Sequence, residues 1–444
     1  MYSTDILNKD LCTDPKGGFM TTKEIAKSIK EGALDGRFCD IYVDALAAKA
    51  QNDRYLNVLS KYEKAFGEER ACIYSAPGRT EIGGNHTDHQ HGHVLAAAIN
   101  KDAVAVAAPS DDDRAYVISD GGSMIEVDIT HTEPRADEKG TTKALIRGVL
   151  YALKERGYEI GGFKAYITSD VLIGAGLSSS AAFENLIATI ISHMYNGGTV
   201  PAETVAMVGQ YAENVHFGKP CGLMDQMASS VGGLVYIDFK DTNAPVIDKT
   251  EYDFAAEGWS LCITDTKGSH ADLTPEYAAV PAEMGRVAGF FGRRYLSEVD
   301  EDDFMRVIPE VREKCGDRAV LRAMHFFEET KRADRERDAL KAGDAETFFK
   351  LVRASGDSSF KYLQNVYAPK DPIHQAVSVA LAVSERVLGE KGACRVHGGG
   401  FAGTIQAWVP TDLADEYTKT MDEVFGEGAC VGLSIRNYGG IKVV

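Results

Sequence analysis

The chain has 444 residues, 44% hydrophobic and 26% charged, a balance that describes a globular protein with more than one core and excludes a disordered chain. Lys and Arg total 48 against 66 Asp and Glu, a formal charge of −18, so there is no general basic face for nucleic acid or an anionic membrane, although a local positive site for a small anion stays open. The eight cysteines are scattered without a C-x-x-C pair. With no charged-then-apolar leader and no run of about eighteen apolar residues, they point to a reduced, cytoplasmic protein without a membrane span.

Residues 1–65 are expected to form a helical extension. Thr21 and Glu24 make a capping box for a helix carrying Ile25 and Ile29, and a second helix is predicted over Tyr55, Leu56, Leu59, Tyr62 and Phe66. The stretch 66–245 mixes strands (103–108 and 115–119) with a helix over 143–155, an α+β pattern. A further unit, 246–444, carries strands at 260–264 and 404–408 and helices near 319–331 and 374–388. No internal repeat or low-complexity tract is visible.

The segment VLIGAGLSSSAAFE, from Val171 to Glu184, runs from a β-type stretch through a glycine-serine turn directly into a helix. Ala182, Phe183, Leu186, Ile187, Ile190, Ile191 and Met194 mark that helix by three- and four-residue spacing, and Gly197 and Gly198 end it. Gly174 and Gly176 let the backbone approach an anion, while free N–H groups at the helix start point toward it. Ser178, Ser179 and Ser180 add hydroxyls. A Walker-type lysine is missing after the last glycine, so a different nucleotide fold is required.

The string GAGLSSSAA resembles the phosphate loop of the GHMP kinases. APGRTEIGGNHTDHQHG (Ala76–Gly92) and CGLMDQ (Cys221–Gln226) narrow the resemblance to the galactokinase branch, and RVHGGGFAG (Arg395–Gly403) looks like the third, glycine-rich motif. The resemblance implies a two-domain α+β fold. It consists of a ribosomal-protein-S5-like N-terminal domain at 66–245 and a ferredoxin-like C-terminal domain at 246–444, with the active site between them. It also implies an enzyme that phosphorylates the anomeric hydroxyl of galactose with ATP and Mg²⁺, the sugar and ATP being its small-molecule partners. Oligomeric state is not legible.

Roles follow from the same resemblance. Gly174, Ala175, Gly176, Leu177, Ser178, Ser179 and Ser180 would cradle the phosphates. Ser180, or Ser179 by a one-residue shift, and Glu213 would hold the metal, a hard cation that needs only a few protein oxygens. Asp225 would manage the hydroxyl proton, as a base or through its field, with Arg79 keeping it ionised. Asn85, His86, Asp88, Gly222 and Tyr277 would meet the sugar, Asp88 by accepting from adjacent hydroxyls. His86, His89, His91 and His93 also invite a zinc reading, which the sugar-binding turn implied here disfavours. Two residues depart from the pattern: Asn85 stands where the family has glutamate, and Glu81 where it has asparagine. That exchange keeps galacturonate and L-arabinose open as alternatives to galactose. A catalytically silent sugar-binding relative is a third reading, against which the complete GLSSSAA, Arg79 and Asp225 stand.

Overall fold

The computed structural model describes residues 20–43, 45–172, 176–242, 244–269 and 273–444. Among these, the strands are β1 (Cys72–Gly83), β2 (His93–Pro109), β3 (Arg114–Ser119), β4 (Ile125–Asp128), β5 (Phe163–Ser169), β6 (Leu234–Asp238), β7 (Val246–Thr250), β8 (Trp259–Asp265), β9 (Ala393–His397), β10 (Thr404–Pro410), β11 (Cys430–Leu433) and β12 (Ile441–Lys442). One sheet runs β12-β1-β2-β5-β3-β4, with β6 pairing the early part of β2 and β7 pairing β6. Its pairs are antiparallel except β3 with β5. The second sheet is antiparallel, in the order β11-β8-β10-β9. The first sheet thus continues past residue 245 through the β6–β7 hairpin and takes back the end of the chain as β12.

Strand β2 shows why the first sheet is covered twice. Its side chains alternate across the pleat. Ala103, Ala105 and Ala107 face the core built on Ile187, Ile190 and Ile191 of the helix Ser179–Tyr195. Val104, Val106 and Ala108 face the other way, onto Phe38, Tyr55, Val58 and Tyr62 of the N-terminal helices Asp35–Tyr42 and Ala45–Phe66. The helix Thr22–Lys30 has the expected capping box, Thr21 and Glu24 each accepting from the other's backbone N–H. Docking of the extension is tied down at fully buried Asp102, which accepts from Arg54 at 2.6 Å, Tyr42 at 2.8 Å and Arg436 at 3.0 Å.

The core of the first sheet continues into the second unit through Leu261, Ile263, Phe348 and Trp408. Apolar packing therefore fixes the two units against each other and leaves the polar ends of β1 and β9 facing across the seam. No described helix is long and apolar enough to cross a membrane.

Candidate active site

β1 delivers the first charged group. Its pairing with β2 shifts register between Pro77 and Arg79 and again between Glu81 and Gly83, and such bulges re-aim side chains where a strand leaves the ladder. Gly78 fits between them because a Cβ there would lie 2.7 Å from the Leu177 carbonyl oxygen. The Arg79 backbone N–H donates to that same oxygen at 3.1 Å. From this anchor the guanidinium donates to Asp225 Oδ1 at 2.7 Å and also to the Gly176 carbonyl.

Asp225 stands in the first turn of the helix Met224–Val231, where the backbone dipole favours a negative charge. Ser178 Oγ donates to its second oxygen. Burial pushes the Asp225 carboxyl up, but the charge and hydrogen bond of Arg79, the Ser178 hydroxyl and the charge of Lys219 outweigh it. The group is held below the ordinary carboxylate value. Arg79 is nearly enclosed, whereas the Asp225 side chain remains 32% exposed, so its carboxylate is open to a ligand.

The described part of the glycine-serine loop joins this constellation. Gly176 and Ser178 both have positive φ, and the helix begins at Ser179. Ser178, at the N-cap, makes no capping bond because its hydroxyl is committed to Asp225. Leu177 is buried. Gly174 and Ala175, the other expected loop residues, lie outside the described residues. In the first turn of this helix, Ser180 Oγ donates to Glu213 Oε1 at 3.2 Å, so the two expected metal-holding residues are brought together. Glu213 lies in a π-helical turn, 212–217. Gln226 Nε2 donates to it at 2.9 Å and to Glu184 at 3.0 Å, and Lys219 Nζ reaches it at 3.0 Å. Sequence reasoning missed Lys219, Gln226 and Glu184. Only the position of Gln226 beside Asp225 could have drawn attention to the bridge.

His86 and Asp88, Gly222, and Tyr277 converge from three places in the chain. His86 adopts a left-handed backbone at φ 58° and its Nε2 donates to the Gly399 carbonyl at 3.1 Å. Tyr277, on the helix Thr274–Phe290, donates to the next carbonyl, Gly400, at 2.9 Å and sets its ring edge-on to Phe401. Gly222 lies so close to Asp88 that a Cβ would fall 1.8 Å from Oδ2. Burial and then the Asp225 charge push the Asp88 carboxyl up to about 7, against the His89 backbone N–H that donates to it. The two carboxyl groups are thereby driven apart, one held ionised and one poised near neutrality. Asp88 and Gly222 also border a cavity of about 410 Å³ that runs past Asn214 and Tyr211.

The four histidines go separate ways. His91 stacks on Tyr295 with ring centroids 3.6 Å apart, and His93 pairs with Asp334 and Asp238. Burial lowers His86 to about 4 and His89 to about 3, keeping both neutral. The amide of Asn85, also expected at the sugar, is turned into the seam between the two units and bonded there to protein.

Residues 60–109 match the galactokinase galactose-binding signature and residues 144–233 match the GHMP kinases N terminal domain. The galactokinase of Streptomyces coelicolor is 31% identical over 372 residues, covering 82% of this chain and 91% of that protein. That of Glaesserella parasuis serovar 5 is 32% identical over 367 residues, covering 82% and 92%. Among solved structures, Lactococcus lactis galactokinase complexed with galactose aligns with a TM-score of 0.73 at 24% identity, covering 86% of this chain and 98% of that one. Methanococcus jannaschii mevalonate kinase aligns at 0.58 and 17% identity, covering 82% and 98%. At these identities the structural likeness bears on the fold alone.

Proposed function

The chain belongs to the galactokinase family of GHMP kinases, and we propose that it transfers the γ-phosphoryl group of ATP to the anomeric oxygen of galactose. The observation that carries this reading is the junction of Arg79, Asp225 and Ser178, where three separate sequence motifs meet within hydrogen-bond distance. Such a transfer is mostly positioning and charge stabilisation. Asp225, held ionised by Arg79, accepts the proton of the attacking hydroxyl, and Arg79 offsets charge that develops beside it. Asp88 offers two acceptor oxygens to neighbouring sugar hydroxyls, with Gly222, His86 and Tyr277 closing the same side.

Ser180 and Glu213 would hold a divalent cation: their side-chain oxygens already meet at the helix N-terminus, and such a hard cation needs only a few protein oxygens. When bound, that ion would neutralise phosphate charge. The division into 1–65, 66–245 and 246–444 belongs to the same proposal, except that β7 and β12, which pair into the first sheet, go with the middle unit; the last two units supply the two walls of the site.

The test is product analysis. Purified protein with MgATP and galactose should yield a sugar 1-phosphate, identified by phosphorus NMR coupling to the anomeric proton, and Asp225→Asn should yield none. Phosphate on another oxygen, or equal turnover by Asp225→Asn, would refute the assignment.

A further inference from the structure

Asn85 is completely buried, and each of its polar atoms already has a protein partner. The amide nitrogen donates to Glu81 Oε1 at 2.9 Å and to the Gly398 carbonyl at 2.8 Å. The amide oxygen accepts from Ser359 Oγ at 3.2 Å and from Asn365 Nδ2 at 3.0 Å. The backbone N–H donates to Glu329 Oε1 at 3.3 Å, and the backbone carbonyl accepts from His325 Nε2 at 2.9 Å. An asparagine side chain offers two N–H donors and one oxygen with two lone pairs. Nothing of this amide is left for a ligand.

Every partner except Glu81 comes from the C-terminal half of the chain. Glu81 is buried too, and it is paired to that half by Arg395, which also donates to the Ile82 carbonyl at 3.0 Å and to Ser355 Oγ at 3.1 Å. Glu329 accepts from the Gly84 N–H at 3.3 Å as well. The whole turn from Glu81 to Asn85 is thus bolted across the seam, and His86 and Asp88 follow it directly in the chain. The acid at 81 and the amide at 85, which stand in exchanged order relative to the motif they resemble, are hydrogen-bonded to each other.

We infer that Glu81 and Asn85 form a clamp between the two units that positions His86 and Asp88, and that Asn85 itself touches no hydroxyl of the sugar. The inference rests on the sugar-kinase reading of the site. It makes the 81/85 exchange a pairing that preserves the seam, and it removes Asn85 as a marker for an acidic sugar.

A residue–substrate cycle tests it. The wild type, Asn85→Asp, Ser359→Ala, Glu81→Asn, Asn85→Glu and the double exchange Glu81→Asn/Asn85→Glu are compared on galactose and on its 2-, 3-, 4- and 6-deoxy analogues. Poor substrates are measured as competitive inhibitors, and thermal melts monitor folding. Asn85→Asp should lower kcat/KM about tenfold or more, by the same factor within about threefold for every analogue, because a positioning fault is felt whichever hydroxyl is present. The KM for ATP should stay within about twofold. Ser359→Ala, which removes one donor and leaves the clamp otherwise intact, should show the same uniform pattern at about two- to fivefold. The double exchange should recover to within about fivefold of wild type, where each single exchange loses about tenfold. A loss that shrinks about tenfold for one deoxy sugar would identify a hydroxyl touched by Asn85 and overturn the inference alone, as would a double exchange no better than its singles. Absence of sugar phosphorylation by the wild type would overturn the sugar-kinase reading and this inference with it.

Discussion

Arg79→Met removes the guanidinium that bridges Asp225 and the Gly176 carbonyl while keeping an unbranched side chain of similar length. Breaking a fully buried ion pair costs about 3–5 kcal/mol, whereas an exposed pair is worth about 1 kcal/mol or less. Here Arg79 is 7% exposed and Asp225 32%, so solvent screens part of the pair and the loss should be about 2 kcal/mol. For domains of this size that is a fall in Tm of about 4–8 °C. The effect on kcat should be larger, about 10²- to 10³-fold, because the charge sits where the reaction develops its own.

The pH profile separates the two effects. In the wild type Asp225 is held below its usual value, so its contribution to stability is present above the unfolded pKa and is lost only as pH falls through the lower, folded one. The kcat profile should therefore be flat from about pH 5 to 8. Without Arg79 the opposing effect of burial prevails, the Asp225 pKa rises, and kcat should fall as the solution is made acidic. The assays are coupled ADP release from pH 5 to 9 and a thermal melt. A variant with wild-type kcat and an unchanged flat profile would refute the role given to Arg79.

Asp88, raised to about 7 by burial and the Asp225 charge, should make sugar KM fall as pH rises through about 7, since only the ionised carboxyl accepts from two hydroxyls; a KM constant from pH 6 to 8 would contradict this. The same elevation destabilises the fold as pH rises from the unfolded toward the folded pKa, so Asp88→Asn should melt higher than wild type at pH 8 while losing sugar binding. Gly222→Ala would drive a Cβ into Asp88 Oδ2 and should cost about 10²-fold in kcat/KM for the sugar, with ATP KM unchanged. Glu213→Gln, leaving Ser180 as the neighbouring oxygen, should raise the Mg²⁺ needed for half-maximal rate about tenfold or more. Asp102→Ala strands Arg54 and Arg436 in the interior and should cost about 3–5 kcal/mol of stability, read by denaturant unfolding, with kcat at low temperature near wild type.

The motifs carrying Arg79 and Asp225 were legible through the family resemblance, and the glycine-serine turn leading into a helix was legible from its local residue pattern; the resemblance paired Arg79 with Asp225, and the structure adds Ser178 to that pair. Residue alternation over 103–108 and helical spacing over 55–66 placed the later parts of β2 and of the helix Ala45–Phe66, both of which begin about ten residues earlier. What escaped were long-range pairings with no local signal. Asp102 sits in an apolar strand, and its partners Arg54 and Arg436 lie far away at opposite ends of the chain. Lys219 reads as one more surface lysine until the π turn folds it onto Glu213. Asn85 was the hardest case, because its residue type and position agree equally with a sugar ligand and with a seam clamp. Only the partners at 325, 329, 359, 365 and 398 separate the two.

The most direct measurement of the central claim is ADP release by the purified protein with MgATP across galactose, galacturonate, L-arabinose, N-acetylgalactosamine and glucose, with Asp225→Asn as the blank. Galactose should give the highest kcat/KM and glucose should stay at the blank; turnover led by another sugar would contradict the assignment of galactose, and no turnover above the blank with any sugar would contradict the kinase itself.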